Sequence, residues 1–157
     1  QPAVGIAATP DGKGYWLVAT DGGIFSFGDA SFFGSEGGKP LNQPVVGMGA
    51  DPSGGGYWLV ATDGGVFTFG DATFYGSMGG QPLNQPVEGM TATPSGHGYW
   101  LVATDGGVFT FGDAGFFGSV ASSMPIHTVV GLFPTGGGSG YTEVDADGIP
   151  SHFGTAG

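Results

Sequence analysis

The chain contains no cysteine, no arginine and only two lysines, Lys13 and Lys39. Without cysteine there is no disulfide, no thiolate metal site and no thiol nucleophile. Thirteen acidic residues against two lysines give a formal net charge of -11. Such a surface repels phosphate backbones and anionic membranes, which argues against nucleic acid as a partner. No apolar run approaches the roughly 20 residues of a membrane span, so membrane insertion is not expected. Gln1-Pro2 lacks the basic and apolar segments of a signal peptide, so an exported form would already have lost its signal.

The reactive inventory is equally sparse. Histidine occurs three times, at His97, His127 and His152, with no spacing that makes a ligand pair. No G-x-S-x-G elbow is present. Asp145-Ala146-Asp147-Gly148 resembles the start of a calcium loop but has no later bidentate Glu. Paired carboxylates could serve a glycosidase, yet the acids mostly recur at equivalent positions, whereas an active site needs asymmetry. The expectation is no cofactor, no metal and no catalysis.

What the chain has in quantity is glycine (36), proline (11) and aromatics, with 13 Phe, 5 Tyr and 3 Trp. These describe many short elements joined by turns around a substantial core. The order repeats every 42 residues: Tyr15, Tyr57, Tyr99 and Tyr141 fall in step, as do Phe27, Phe69, Phe111 and Phe153. The units are 1–42, 43–84, 85–126 and a truncated 127–157, forming a single repeat domain. "GYWLVATDGGVFTFGDA" occurs unchanged at 56–72 and 98–114.

Each full unit reads as four strands, which in the second unit are 44–50, 56–62, 65–72 and 73–78. Asp63-Gly64 predicts a two-residue type I′ hairpin. That register sets Trp58 opposite Phe69 and Val60 opposite Phe67 on a bulky face, and Leu59 opposite Thr68 and Ala61 opposite Val66 on a slimmer one. Both faces are largely apolar, so both must be covered. Four-stranded antiparallel sheets stacking face to face predict an all-β, β-propeller-type array of three full blades and a truncated fourth.

The stretch "VVGMGADPSGGGYWLVATDGGVFTFGDATFYGS" resembles the Trp-rich repeats of about 42 residues found in secreted and cell-surface actinobacterial proteins. More distantly, its strand order is similar to blades of the regulator of chromosome condensation family. The first resemblance implies an extracellular or cell-surface module of no settled activity.

The fourth unit departs from the others, with Thr142 at the Trp position, Glu143 at the Leu position and Asp145 at an Ala position. The hairpin register sets Glu143 opposite His152. These three residues, Glu143, Asp145 and His152, read as a polar cap or interface that ends the stack. A closed four-blade ring is the alternative, with Pro2 to Thr9 supplying the missing outer strand of the last blade. An open array leaves the first unit uncovered and needs a partner, either a further copy or a larger assembly; of the two, the open array is favoured.

Asp21, Asp63, Asp105 and Asp147 recur in tight turns and read as turn formers, with a ring of carboxylates for calcium or a sugar hydroxyl as the alternative. Asp29, Asp71 and Asp113 recur where the turn does not demand Asp. They read as strand-end caps, or as acceptors for a sugar hydroxyl. Trp16, Trp58 and Trp100 read as packing between blades rather than as a sugar platform. In the pairs Phe32-Phe33, Phe74-Tyr75 and Phe116-Phe117 one ring must face outward; Phe33, Tyr75 and Phe117 are the candidate rim. The function expected is a non-catalytic structural or interaction module that self-assembles or docks to a surface component. A carbohydrate-binding propeller with repeated sites, taking a glycan or cell-wall ligand, is the alternative.

Overall fold

The computed structural model describes residues 2–83, 85–120, 128–135 and 138–154. All regular structure among them is β, with no helix long and apolar enough to cross a membrane. The first sheet is β1 (Ala3–Ala8), β2 (Gly14–Ala19) and β3 (Ile24–Gly28), and the second is β4 (Val45–Ala50), β5 (Gly56–Ala61) and β6 (Val66–Gly70). The third is β7 (Val87–Ala92), β8 (Gly98–Ala103) and β9 (Val108–Gly112), and the fourth is β10 (Val129–Pro134), β11 (Gly140–Asp145) and β12 (Pro150–Gly154). Every sheet is an antiparallel meander in chain order, and no strand ladder is shared between sheets.

The blades are therefore three-stranded, not four-stranded. Residues 73–78, expected as an outer strand, and their counterparts 31–36 and 115–120 form connectors without strand structure. Several of their polar backbone atoms pair with side chains of neighbouring strands instead, as described below.

The hairpin between the second and third strands also differs from expectation. Asp63 does not take the positive φ that a type I′ turn requires; only glycines do so, Gly64 at φ 82°. Gly64 N–H donates to the Ala61 carbonyl at 2.9 Å, and Ala61 N–H to the Gly65 carbonyl at 2.9 Å. This is a three-residue loop, Thr62-Asp63-Gly64, closed by a left-handed glycine bulge. The extra residue slips β6 by one place, pairing Tyr57 with Phe69, Trp58 with Thr68 and Leu59 with Phe67. Because side chains alternate, the slip moves both phenylalanines to the Tyr57 face.

The first strands of successive sheets lie side by side, β1 on β4, β4 on β7 and β7 on β10, so the blades fan out from a shared inner edge. Each junction is fastened by one backbone bond. Val45 N–H donates to the Thr20 carbonyl, Val87 N–H to Thr62 and Val129 N–H to Thr104, at 2.8, 2.8 and 2.7 Å. No closure of the array is seen. Pro2–Thr9 does not complete the fourth blade, because Ala3–Ala8 is the inner strand of the first, paired along β2.

Candidate functional site

The apolar material lies between blades. The first junction is built from Trp16 and Val18 of one blade against Tyr57 and Leu59 of the next, with Phe67 and Phe69 alongside. Trp58 and Val60 meet Tyr99 and Leu101 at the second junction. Trp100 and Val102 meet Tyr141 at the third. The first three blades thus each have a Trp face that gives, and the second to fourth each have a Tyr face that receives.

The connector completes each junction. Trp58 Nε1 donates to the Thr73 carbonyl at 2.7 Å, which holds the connector over its own blade. Trp16 and Trp100 do the same to Ser31 and Gly115. The next blade's tyrosine then reads the connector. Tyr57 Oη accepts from Phe33 N–H at 3.0 Å and donates to the Gly34 carbonyl at 2.6 Å. Tyr99 repeats this with Tyr75 and Gly76, and Tyr141 with Phe117 and Gly118. Burial pushes these three phenols above their ordinary pKa, so each remains the neutral donor that the pairing requires.

This places the rim aromatics differently from expectation. Phe33, Tyr75 and Phe117 turn inward and pack on Tyr57, Tyr99 and Tyr141, with ring centroids 5.7, 5.9 and 5.5 Å apart. The outward rings are one residue earlier: Phe32, Phe74 and Phe116, 57%, 55% and 60% exposed. A buried tyrosine hydroxyl must find a polar partner, but that the partner is the connector backbone is a tertiary contact the sequence does not show.

The repeated acids divide into two groups. Asp21, Asp63 and Asp105 each accept the N–H of the glycine two residues on, at 2.9 Å. Asp29 and Asp113 accept instead from Thr9 and Thr93 hydroxyls, at 3.0 and 2.8 Å, and so tie the exit of the third strand to the preceding turn. Asp113 also accepts from Ser95, the bond that does most to lower its pKa. A hydrogen bond between Asp11 and Asp29 lowers the former and raises the latter. In the second unit the threonine position is Asp51, which accepts Ser53 N–H; Asp71 is exposed nearby. No group of three or more acidic or histidine side chains gathers as a metal site among the described residues. His127 lies outside them.

The fourth blade carries polar side chains on both faces. The register sets His152 opposite Thr142, not Glu143, and Thr142 Oγ1 lies 2.9 Å from His152 Nδ1. Asp145 Oδ1 accepts from Asp147 and Ile149 N–H, both at 2.9 Å, and organises the final hairpin. Glu143 points into the third junction, 1% exposed, where Oε1 accepts Val120 N–H at 3.0 Å and Oε2 has no partner. Desolvation pushes its pKa up to about 7. Glu88, on the inner edge beside Val4, Val46 and Val130, is likewise pushed up to about 7 by desolvation.

The first blade has a complete Tyr face with nothing over it among the described residues. Tyr15 is 40% exposed whereas Tyr57, Tyr99 and Tyr141 are each 0% exposed. Phe25 and Phe27 are exposed beside it.

No protein-family model and no curated protein sequence matches the chain. Among solved structures, it is similar to the β-propeller domain of Cps50 (Swd1) from Myceliophteria thermophila, with a TM-score of 0.66 at 11% identity. The match covers 98% of this chain and 52% of that one, so the chain spans about half the length of that propeller domain. At this identity the likeness shows the fold: a β-propeller-type stack of blades.

Proposed function

We propose that this chain is a non-catalytic structural and interaction module, working outside the cell or at its surface, that docks an uncovered blade face on a protein partner or larger assembly. One observation carries the reading: Tyr15 is 40% exposed where its three counterparts are fully covered. With Phe25, Phe27 and Ile6 it leaves a contiguous apolar area of the kind that marks an interaction surface. The repeated acids support a non-catalytic role, because most of them are committed to turns and hydroxyl ties. The extracellular setting draws on the resemblance of the repeats to those of secreted and surface proteins.

A photoreactive phenylalanine analogue at position 27, presented to the native host's cell-surface fraction, tests this reading. A discrete cross-linked protein species is expected from position 27 and none from position 80, on an exposed connector. Equal labelling from both positions, or no protein adduct at all, would refute it.

Carbohydrate binding is a second reading, favoured by Phe32, Phe74 and Phe116, three exposed rings at equivalent positions. Exposed aromatic faces stack on sugar rings, and nearby carboxylates accept their hydroxyls. A glycan array in which binding falls on Phe74→Ala would support it; uniform blindness to glycans would remove it.

A further inference from the structure

Three internal junctions show what a Tyr face receives. At each, the glycine after the inward aromatic lies flat on a phenylalanine of the receiving blade. A Cβ on Gly34 would sit 2.9 Å from Phe69 Cδ1, on Gly76 2.7 Å from Phe111, and on Gly118 2.7 Å from Phe153. The glycines also have φ of 126°, 129° and 126°, which side-chain-bearing residues rarely adopt. The recognised element is therefore an aromatic–glycine dipeptide: ring against ring, glycine on phenylalanine, and two backbone atoms on one phenol.

The first blade repeats every receiving group. Tyr15 pairs with Phe27 and Leu17 with Phe25 in the same register as the covered blades. Tyr15 Oη has no hydrogen bond among the described residues, and its ring lies nearly parallel to Phe27, 20° between planes at 5.0 Å. In the covered blades the equivalent pairs are tilted by 44°, 41° and 53°, each with a connector aromatic against the tyrosine.

We infer that the Tyr15 face is a docking surface for a further blade of this repeat type, one whose aromatic–glycine connector is free. This rests on the reading of the chain as an interaction module and names the chemistry of its partner. The incoming aromatic N–H donates to Tyr15 Oη, Tyr15 donates to the glycine carbonyl, and the glycine seats on Phe27. A second copy of this chain does not supply that element. Its connectors Phe33-Gly34, Tyr75-Gly76 and Phe117-Gly118 are held by Tyr57, Tyr99 and Tyr141, and its fourth blade has Thr142 where the giving face needs Trp.

The test extends the intact chain by one unit, a copy of residues 43–84 fused ahead of Gln1, and follows amide exchange strand by strand. Exchange in β2 is expected to slow at least ~10-fold relative to the unextended chain, as a terminal blade with one uncovered face becomes an interior one. Rates in β5 and β8 serve as the internal check that the original blades remain folded. Gly76→Val within the appended copy alone is expected to abolish the slowing, and Tyr15→Phe to reduce it. Unchanged β2 exchange on extension, or slowing indifferent to Gly76→Val, overturns the proposal. So does a concentration-dependent dimer of the unextended chain that Tyr15→Phe dissolves, since the occupant would then be a second copy. In that case the interaction reading stands, whereas a position-27 cross-link that fails removes the reading itself.

Discussion

The backbone N–H of Val120 donates to Glu143 Oε1 at 3.0 Å, whereas the matching amides of the earlier units, Glu36 and Met78, donate to the Gly22 and Gly64 carbonyls. A side chain of the odd fourth blade has replaced a backbone acceptor in the connector before it. The replacement leaves Oε2 of Glu143 buried without a partner.

Glu143→Leu restores the residue found at Leu59 and Leu101, both fully buried, and frees Val120 to bond the Gly106 carbonyl. Thermal or urea unfolding at pH 8 should show the variant more stable by on the order of 1–3 kcal/mol, the cost of an unsatisfied buried carboxylate. Glu143→Gln should recover part of that gain.

The wild-type pH dependence follows from the same group. Glu143 and Glu88 are raised in the folded state to about 7 from an ordinary 4.5. Between those values the folded chain binds more protons than the unfolded chain, so stability is highest near pH 4.5 and falls as pH rises to 7. For Glu143 the loss is on the order of 2–3 kcal/mol. Melting temperatures between pH 5 and 8 should decline, with a shallower slope in Glu143→Leu; a flat wild-type profile would contradict the assignment.

Tyrosine-to-phenylalanine changes separate covered from uncovered blades. Tyr99→Phe strands Tyr75 N–H and the Gly76 carbonyl and should cost roughly 1–3 kcal/mol in chemical denaturation. Tyr15→Phe removes no hydrogen bond among the described residues and should stay within about 0.5 kcal/mol of wild type.

The connector aromatics offer a similar contrast. Tyr75→Ala opens a cavity against Tyr99 and should cost about 3 kcal/mol or more. Phe74→Ala, at a 55% exposed ring, should leave the unfolding midpoint nearly unchanged, making it the clean probe for sugar binding.

Glycines with the same φ need not be equally replaceable. Gly64 and Gly80 both have φ +82°, but a Cβ at Gly64 meets Met78 Cβ at 2.5 Å while Gly80 has nothing within 4 Å. Gly80→Ala should cost only the left-handed penalty of roughly 1 kcal/mol. Gly64→Ala should cost clearly more, read as the difference between two denaturation midpoints.

The 42-residue step and the strand character of Gly56–Ala61 are legible in the sequence because repetition and a short apolar run bounded by turn residues need no tertiary information. The hairpin register is not. Asp-Gly suits both a two-residue and a three-residue loop, and both faces of the hairpin are apolar, so moving Phe67 and Phe69 to the opposite face violates no pattern. The fate of residues 73–78 was hidden for a different reason. The adjacent aromatics read as a short outer strand, but a tryptophan indole and a tyrosine hydroxyl take the backbone groups of Thr73, Tyr75 and Gly76, contacts that no local rule supplies. The same slip explains Glu143: its expected partner His152 moved to Thr142.

The bond from Val45 N–H to the Thr20 carbonyl recurs as Val87 to Thr62 and Val129 to Thr104. The first two seams, which lack the Glu143 substitution of the third, are therefore interchangeable. Excising residues 43–84 in frame would bring Val87 to Thr20 with the donor and acceptor already matched, and Tyr99 to the Phe33-Gly34 connector. A gene built this way can change length by whole units through unequal recombination, with no compensating substitution required at the joint.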